Sequence, residues 1–203
     1  MTTTAIEIAP DSALLVIDVQ QGFDEESFWG PRNNPEAEDN IAALMDAWHA
    51  AGRPVVLVRH ASVQPGSVLA ADHPGHAFKD LVEKRRDGAL VITKTVNSAF
   101  YGTPDLADWL TERGIGQLVL VGIQTNMCVE TTARMAGNLG YDVLVPLDAT
   151  HTFDLAGPAG LSLTADELAA ATAVNLQGGG FARVVTTAEL LAAEPRRSGL
   201  VGV

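Results

Sequence analysis

The chain reads LVLVGIQTNMCVETTARM over residues 118–135. Leu118 to Gly122 form an apolar run typical of a strand buried on both faces, and the part after Val129 favours a helix. Cys128, the one cysteine of the chain, lies at the junction. A thiol in the first turn of a helix is close to unpaired backbone N–H groups, which favour the thiolate. We therefore predict a nucleophile here, the alternative being a buried cysteine that only fills space.

Two other apolar runs also end at a charged residue. The run 13–17 precedes Asp18, and the run 89–93 precedes Lys94. Active sites of open parallel sheets form beyond the carboxyl ends of the strands, where residues distant in sequence meet. A single Asp or Lys in such a place is commonly a turn residue or a solvated side chain. Because three strand-type runs each lead to a charged or nucleophilic residue, we predict that Asp18, Lys94 and Cys128 form one catalytic site.

The pattern along the chain alternates between strand-type and helix-type segments, which is typical of βαβ units. Helices are predicted over 37–51 and 164–177, the second beginning with a capping box. Strands are predicted near 13–18, 54–59, 89–93, 117–122, 141–145 and 182–185. We expect an α/β fold, a Rossmann-like three-layer αβα sandwich in which a mostly parallel six-stranded sheet has helices on both faces.

Composition limits the possible partners and the domain organisation. The 203 residues, 47% of them hydrophobic, suit a single domain over 1–203, with flexible ends expected at 1–10 and 194–203. The net charge of −12 argues against nucleic acid and anionic membranes as partners. No apolar run approaches the roughly 20 residues of a membrane span, and residues 1–10 lack the features of a signal peptide. We expect a cytoplasmic protein without an internal disulfide.

Three stretches carry a resemblance to a known family. They read VIDVQQGF at 16–23, KTVNSAF at 94–100 and VGIQTNMCVETTAR at 121–134. In this order they resemble the Asp, Lys and Cys motifs of the isochorismatase-like cysteine hydrolases, and the resemblance covers about 13–153. Arg59-His60 and the segment 97–100 are most similar to the metal-free amidohydrolase branch around streptothricin hydrolase.

The resemblance implies an activity and a set of site residues. Cys128 would form a thioester while a small amide, lactam or carbamoyl compound loses its C–N bond, with Asp18 as base and Lys94 holding Asp18. A cis peptide at Ile123–Gln124 would direct the N–H groups of Gln124 and Cys128 to an oxyanion. The predicted substrate pocket, in which each residue could alternatively be structural, comprises Gln20, Phe23, Trp29, His60, Asn97, Ser98 and Phe100. No cofactor is implied, and the family's habit of forming dimers or larger assemblies implies a homodimer or a higher homo-oligomer.

A metal site is the first alternative. Asp72, His73 and His76, with His60 nearby in sequence, are residue types that bind zinc or iron. The nicotinamidase branch of the resembled family binds its metal through Asp-x-His after the second strand, but Arg59 stands where that Asp is required. We therefore predict no metal.

Other functions remain open alternatives. A vinyl ether hydrolase of the isochorismatase type would not need Cys128. A redox sensor would use a second thiol, which the chain lacks. A nucleotide-binding module would carry G-x-G-x-x-G or a P-loop, and neither is present. A silent scaffold would have no reason to keep three charged or nucleophilic residues at strand ends. No motif identifies the substrate.

Overall fold

The computed structural model describes residues 6–193 and consists of a central sheet with helices on both sides. The strands are β1 (Ala13–Ile17), β2 (Val55–His60), β3 (Leu90–Lys94), β4 (Gln117–Ile123), β5 (Asp142–Pro146), β6 (Thr150–His151), β7 (Leu155–Ala156), β8 (Ser162–Leu163) and β9 (Arg183–Val185). The helices are α1 (Glu26–Trp29), α2 (Ala37–Ala50), α3 (Asp80–Glu83), α4 (Leu106–Glu112), α5 (Glu130–Asn138), α6 (Ala165–Gly178) and α7 (Thr187–Ala192).

The sheet has the order β3-β2-β1-β4-β5-β9, and every pairing along it is parallel. β6 pairs with the end of β4, so seven strands belong to the sheet. Because β1 lies between β2 and β4, the chain reverses its direction of winding at this point. Open α/β sheets bind ligands in the crevice at such a switch point. Asp18 follows β1 and Cys128 follows β4, so both lie at this crevice.

Two apolar cores cover the faces of the sheet. In β1, Leu14 and Val16 pack on the side of α2, α3 and α7, whereas Leu15 and Ile17 pack on the side of α4, α5 and α6. This alternation follows from the two-residue repeat of a strand. The expected three-layer α/β fold is therefore confirmed.

Close approach between the two central strands depends on a glycine. Gly122 has φ of +123°, and a Cβ at this position would lie 2.0 Å from the carbonyl oxygen of Ile17. No side chain other than hydrogen fits there. The absence of a side chain at Gly122 lets the end of β4 lie directly beside the end of β1, next to Asp18.

The six predicted strands and both predicted helices match observed elements to within one residue at each end. The short strands β6, β7 and β8 were not predicted, because two-residue strands leave no periodic pattern. Residues 1–5 and 194–203 of the predicted flexible ends lie outside the described residues. The remainder of the N-terminal segment is packed, since Ile8 and Ala9 are buried and the Ala9 N–H donates to Gln117 at 2.7 Å. Within residues 6–193, no helix is long and apolar enough to cross a membrane.

Candidate active site

Asp18 is held rigidly at the end of β1. Its backbone has φ of +54°, its N–H donates to the Val58 carbonyl at 2.8 Å, and its side chain is fully buried. Oδ2 accepts a hydrogen bond from Lys94 at 2.7 Å. Oδ1 has no hydrogen-bond partner among the described residues. One carboxylate oxygen is thus fixed by a cation, and the other can accept a proton.

Lys94 brings the site together. Its ammonium lies 2.7 Å from Asp18 Oδ2, 3.1 Å from His60 Nδ1 and 3.4 Å from Cys128 Sγ. An ammonium has three N–H donors and no acceptor, so these contacts use its full capacity and require His60 Nδ1 to be unprotonated. Burial and the nearby charge of Lys94 lower the pKa of His60 below its usual 6.5, and the imidazole is neutral at pH 7.

Cys128 lies in a π-helical turn, Thr125–Val129, that leads into α5. Burial, followed by the negative charge of Asp18, raises the pKa of the Cys128 thiol well above its usual value, and Lys94 offsets this only in part. The expectation that helix-start N–H groups favour the thiolate is therefore wrong for this structure. Cys128 comes after the first residues of the turn and is buried beside a carboxylate, so the resting sulfur carries its proton and needs a base.

The turn before Cys128 is held by hydroxyl groups from the segment around β6. The Ile123–Gln124 peptide bond is cis. Thr152 Oγ1 donates to Asn126 Oδ1 at 2.5 Å, and it lies 3.5 Å from Gln124 Oε1. In the same region, the hydroxyl of Thr125 donates to the hydroxyl of Thr150 at 2.9 Å. The side chains that precede Cys128 are therefore fixed to the sheet.

A cavity of about 240 Å³ opens above these residues. Its walls come from the segments that follow the first four strands, at one edge of the sheet. The lining residues are Asp18, Phe23, Phe28 and Trp29 after β1, His60, Ser62, Gln64, Ser67 and Leu69 at and after the end of β2, Asn97 after β3, and Gln124, Met127 and Cys128 after β4. Two depressions of about 550 and 530 Å³ elsewhere on the surface are lined by no cysteine or serine of residues 6–193, so the smaller cavity is the candidate active site.

An aromatic stack forms one wall of the cavity. Trp29 stacks on Phe23 at 4.9 Å and on Phe153 at 5.4 Å between ring centroids. The Trp29 indole N–H donates to the carbonyl of Gly22 at 2.8 Å, which fixes the ring. Phe28 contacts Trp29 edge-on at 4.8 Å and is half exposed. Trp29 is therefore the fixed part of this wall, and Phe28 is the part that is exposed to solvent.

Four of the seven predicted pocket residues, Phe23, Trp29, His60 and Asn97, line the cavity, and three do not. Gln20 is fully buried, and its amide hydrogen-bonds the backbone of His60 and His76. The Ser98 hydroxyl contacts Met135, and Phe100 stacks on Tyr141 in the core. These three side chains lie beneath the cavity, where each makes hydrogen bonds or packing contacts.

Six lining residues are absent from the predicted set, and one of them, Phe28, directly precedes the predicted Trp29. Met127 adjoins the nucleophile, whereas Ser62, Gln64, Ser67 and Leu69 belong to a loop without regular structure. The length of that loop was a signal, since long loops near strand ends commonly cover sites. The individual residues of this loop showed no pattern that would identify them as lining residues.

The side chains of this site are not arranged to bind a metal ion. Asp18, His60 and Cys128 offer donor atoms within 4.8 Å of one another. The Lys94 ammonium already contacts all three residues, and a divalent cation beside it would be repelled. His73, a predicted alternative ligand, uses Nδ1 to accept the N–H of Gly75 at 3.0 Å. The buried Lys94 ammonium therefore lies among Asp18, His60 and Cys128, where a metal ion bound by all three would lie.

Chemically, the arrangement combines a protonated thiol, an adjacent carboxylate with one free oxygen, and a buried cation. Such a set can transfer a proton from sulfur to oxygen and attack an electrophilic carbon. The neutral cavity above it can hold a small organic molecule.

Comparisons with known proteins agree in pointing to one family. A family model described as "Isochorismatase domain" matches residues 12–197. An isochorismatase family protein of Bacillus subtilis is 42% identical over 143 residues, which are 70% of this chain and 75% of that protein. Streptothricin hydrolase of Streptomyces noursei is 37% identical over 164 residues, so the match spans 79% of this chain and 62% of that enzyme. The crystal structure of an isochorismatase family protein from Chromobacterium violaceum has a TM-score of 0.88 and 44% identity, covering 95% of this chain and 98% of that one.

Proposed function

Since the chain belongs to the isochorismatase family of hydrolases, we propose that it cleaves a C–N bond of a small molecule through a thioester on Cys128. The observation that carries this proposal is the contact of one ammonium, that of Lys94, with both the Asp18 carboxylate and the Cys128 sulfur, at 2.7 and 3.4 Å. Similarity to streptothricin hydrolase supports the choice of a C–N bond. Vinyl ether cleavage would give the thiol no role.

In the first half-reaction, Asp18 Oδ1 takes the thiol proton as Cys128 Sγ forms a bond to the substrate carbonyl carbon. The carbonyl oxygen becomes an oxyanion, for which the N–H groups of Gln124 and Cys128 are the proposed donors. The C–N bond then breaks, and Asp18 gives its proton to the departing nitrogen, because an amine anion is too basic to leave unprotonated. Ammonia or an amine departs, and the acyl group stays on sulfur.

In the second half-reaction, Asp18 is again a carboxylate and removes a proton from water. The hydroxide formed attacks the thioester carbon, the C–S bond breaks, and the thiol recovers the proton from Asp18. Lys94 keeps one carboxylate oxygen in place through both steps, and its charge stabilises the thiolate as it forms. The pathway needs no cofactor.

Release of ammonia or amine from a panel of primary amides, lactams, ureas and N-carbamoyl compounds tests the proposal. Cys128→Ala should abolish turnover, whereas the fold, followed by circular dichroism, should persist. Hydroxylamine should divert the acyl group to a hydroxamate, and mass spectrometry of a quenched reaction should find an adduct on Cys128. Full hydrolysis by Cys128→Ala would overturn covalent catalysis and leave Asp18 acting directly on water.

A metal-dependent amidase of the nicotinamidase type is a second candidate, because Asp18, His60 and Cys128 form a compact donor set. The contacts of the Lys94 ammonium with all three residues argue against a metal ion among them. Turnover should therefore survive exhaustive chelation. Loss of turnover that zinc, iron or manganese restores would support the metal enzyme instead.

We also propose that the protein works as a homodimer or a higher homo-oligomer, as similarity to its family suggests. Large side chains exposed on the described surface, among them Val63, Tyr101, Leu161 and Val174, are candidates for burial in such a contact. Native mass spectrometry at micromolar concentration should give a multiple of 21.3 kDa. A purely monomeric mass would contradict this.

A further inference from the structure

The surface depression of about 530 Å³ lies at the edge of the sheet opposite the active-site cavity. Its walls include Val55 at the amino end of β2 and Leu90 at the amino end of β3, whereas His60, at the carboxyl end of β2, lines the cavity. At about 3.3 Å per residue, β2 separates Val55 from His60 by roughly 16 Å. We propose that this depression is a binding site for a small organic phosphate monoester, held by Arg53 and Arg113.

The two arginines of this depression are held by tryptophan rings. The Arg53 guanidinium lies over the ring of Trp48 at 5.4 Å, and the Arg113 guanidinium lies over the ring of Trp109 at 4.4 Å, measured to the ring centroids. Trp48 is buried, and its indole N–H donates to the Ser12 carbonyl at 2.9 Å, so this ring is fixed. A ring contact orients a guanidinium without using its N–H donors.

Neither arginine has a strong carboxylate partner. Within residues 6–193, no carboxylate pairs with the Arg53 guanidinium, and burial lowers the pKa of Arg53 with no neighbouring charge to offset it. Arg113 lies 3.7 Å from Glu112, but both side chains are exposed, and its bond to the Trp109 carbonyl is long at 3.4 Å. The chain has 25 acidic and 13 basic residues, so cations without a close carboxylate partner are unexpected in it. Both guanidinium groups can therefore bind an anion.

The charge and size of the depression favour a phosphate monoester. A phosphate ester carries about −1.5 to −2 charges at pH 7 and three acceptor oxygens, which match two forked cations better than a carboxylate does. Beside the arginines, the walls are apolar at Pro54, Val55 and Leu90. The volume lies within the roughly 300 to 1,000 Å³ of small-molecule sites and is more than an inorganic ion fills. The ligand therefore has an organic part.

Two other titratable side chains line the depression. His49 Nε2 contacts the Arg85 carbonyl oxygen at 2.8 Å, which requires a proton on that nitrogen. Asp87 is exposed and pairs with neither arginine among the described residues. Its carboxylate repels an anion, so it weakens the proposed binding and provides a test of opposite sign.

Isothermal titration calorimetry of the full chain at pH 7 tests the proposal with phenyl phosphate, benzoate and inorganic phosphate. Phenyl phosphate should bind at one site, at least about tenfold more tightly than benzoate, because the phosphate makes more charge-assisted hydrogen bonds. It should also bind at least about tenfold more tightly than inorganic phosphate, which has no apolar group to bury. Equal affinity of benzoate would contradict the phosphate assignment, and equal affinity of inorganic phosphate would contradict an organic ligand.

Arg53→Gln and Arg113→Gln should each weaken the binding of phenyl phosphate at least about tenfold, through the loss of hydrogen bonds to a charged group. The matched control is Lys84→Gln, which removes an exposed cation that lines the other depression and should leave the affinity unchanged. Asp87→Asn should tighten binding about two- to fivefold. Arg113 is exposed, so its replacement tests the site even if the loss of Arg53 disturbs packing on Trp48.

Absence of phenyl phosphate binding, or unchanged affinity in both arginine variants, would overturn the proposal. A loss with Lys84→Gln equal to that with Arg113→Gln would overturn it as well, because the phosphate would then bind in the other depression. Weaker binding by Asp87→Asn would contradict an anionic ligand beside that carboxylate. Since binding needs no turnover, these outcomes are independent of whether the protein hydrolyses an amide.

Discussion

The ammonium of Lys94 lies 2.7 Å from Asp18 Oδ2, and neither side chain has any exposed surface. A buried ion pair gains its attraction only after both charges have lost their water, so its net contribution to stability is small. Loss of one partner is different, because the other charge is left buried and unpaired. The pair therefore links the stability of the protein to the chemistry proposed for its site.

Asp18→Asn alone, and Lys94→Met alone, should each lower the free energy of unfolding by about 3 to 5 kcal/mol, the usual cost of an unpaired buried charge. The double variant should recover most of that loss, although all three variants should be inactive. Urea denaturation gives the free energies. The control is Arg86→Met, which breaks the exposed pair of Arg86 with Glu83 and should cost less than about 1 kcal/mol. Additive losses in the double variant would mean that the two charges do not compensate each other.

The Cys128 thiol should react slowly with iodoacetamide at neutral pH, because burial and the charge of Asp18 raise its pKa. Asp18→Asn removes that negative charge and leaves Lys94 in place, which favours the thiolate. Alkylation at pH 8 should therefore become faster, by about tenfold for each unit by which the pKa falls, even though hydrolysis is lost. Lys94→Met should slow alkylation.

Gln64→Ala, which changes the cavity wall and no charge, is the control for the alkylation rates. Slower alkylation of Asp18→Asn would contradict the electrostatic account. It would indicate instead that the carboxylate removes the thiol proton during attack on the reagent.

Gln20 is a positioning residue for His60. Its side-chain amide accepts the His60 N–H at 2.8 Å and donates to the carbonyls of His60 and His76 at 3.0 and 2.9 Å. Gln20→Ala leaves these buried backbone groups unpaired and should lower the free energy of unfolding by about 2 to 3 kcal/mol. The matched control is Gln21→Ala, since Gln21 is exposed and makes one 3.3 Å side-chain bond. It should cost less than about 1 kcal/mol. Similar losses in thermal or urea unfolding for both variants would show that the Gln20 bonds are unimportant.

Much of the architecture was predictable from the sequence. Each apolar run of about five residues gave a strand within one residue of its observed bounds, because buried parallel strands need continuous apolar sequence. The convergence of Asp18, Lys94 and Cys128 was predictable for a related reason. Parallel strands that cross over through helices all end at the same edge of the sheet, so residues that follow them meet there.

The walls of the cavity and the state of the thiol were not predictable. The path of residues 61–79 depends on long-range bonds such as that from Gln20 to His76, which no local pattern encodes. The pKa of Cys128 depends on how deeply the turn is buried and on which charge is nearer, and these are properties of packing. The N–H groups at a helix start, considered alone, predicted a lowered pKa for Cys128, whereas burial and Asp18 raise it.

His151 should make the protein less stable in acid. Its ring is fully buried beside Phe153, and neither ring nitrogen has a hydrogen-bond partner among the described residues. Burial, followed by the charges of Arg32 and Lys79, lowers its pKa from 6.5 to about 3. The unfolded chain therefore binds a proton below pH 6.5 that the folded protein rejects. The stabilisation is complete above pH 6.5 and is lost as the pH falls towards 3, by up to about 1.4 kcal/mol per pH unit.

Urea denaturation of wild type and His151→Phe at pH 7, 6, 5 and 4 measures this contribution. His60 and His76, whose pKa values burial also lowers, and Glu38, whose pKa Lys79 lowers, add slopes of the same sign in both proteins. The difference between the two curves isolates His151, and the wild type should lose about 1 kcal/mol more per unit between pH 6 and 4. Phe153→Leu is the control, since it disturbs the same packing without removing a titratable group and should lower stability equally at each pH. Parallel curves for wild type and His151→Phe would mean that His151 is already protonated in the folded protein, or that it titrates equally in both states.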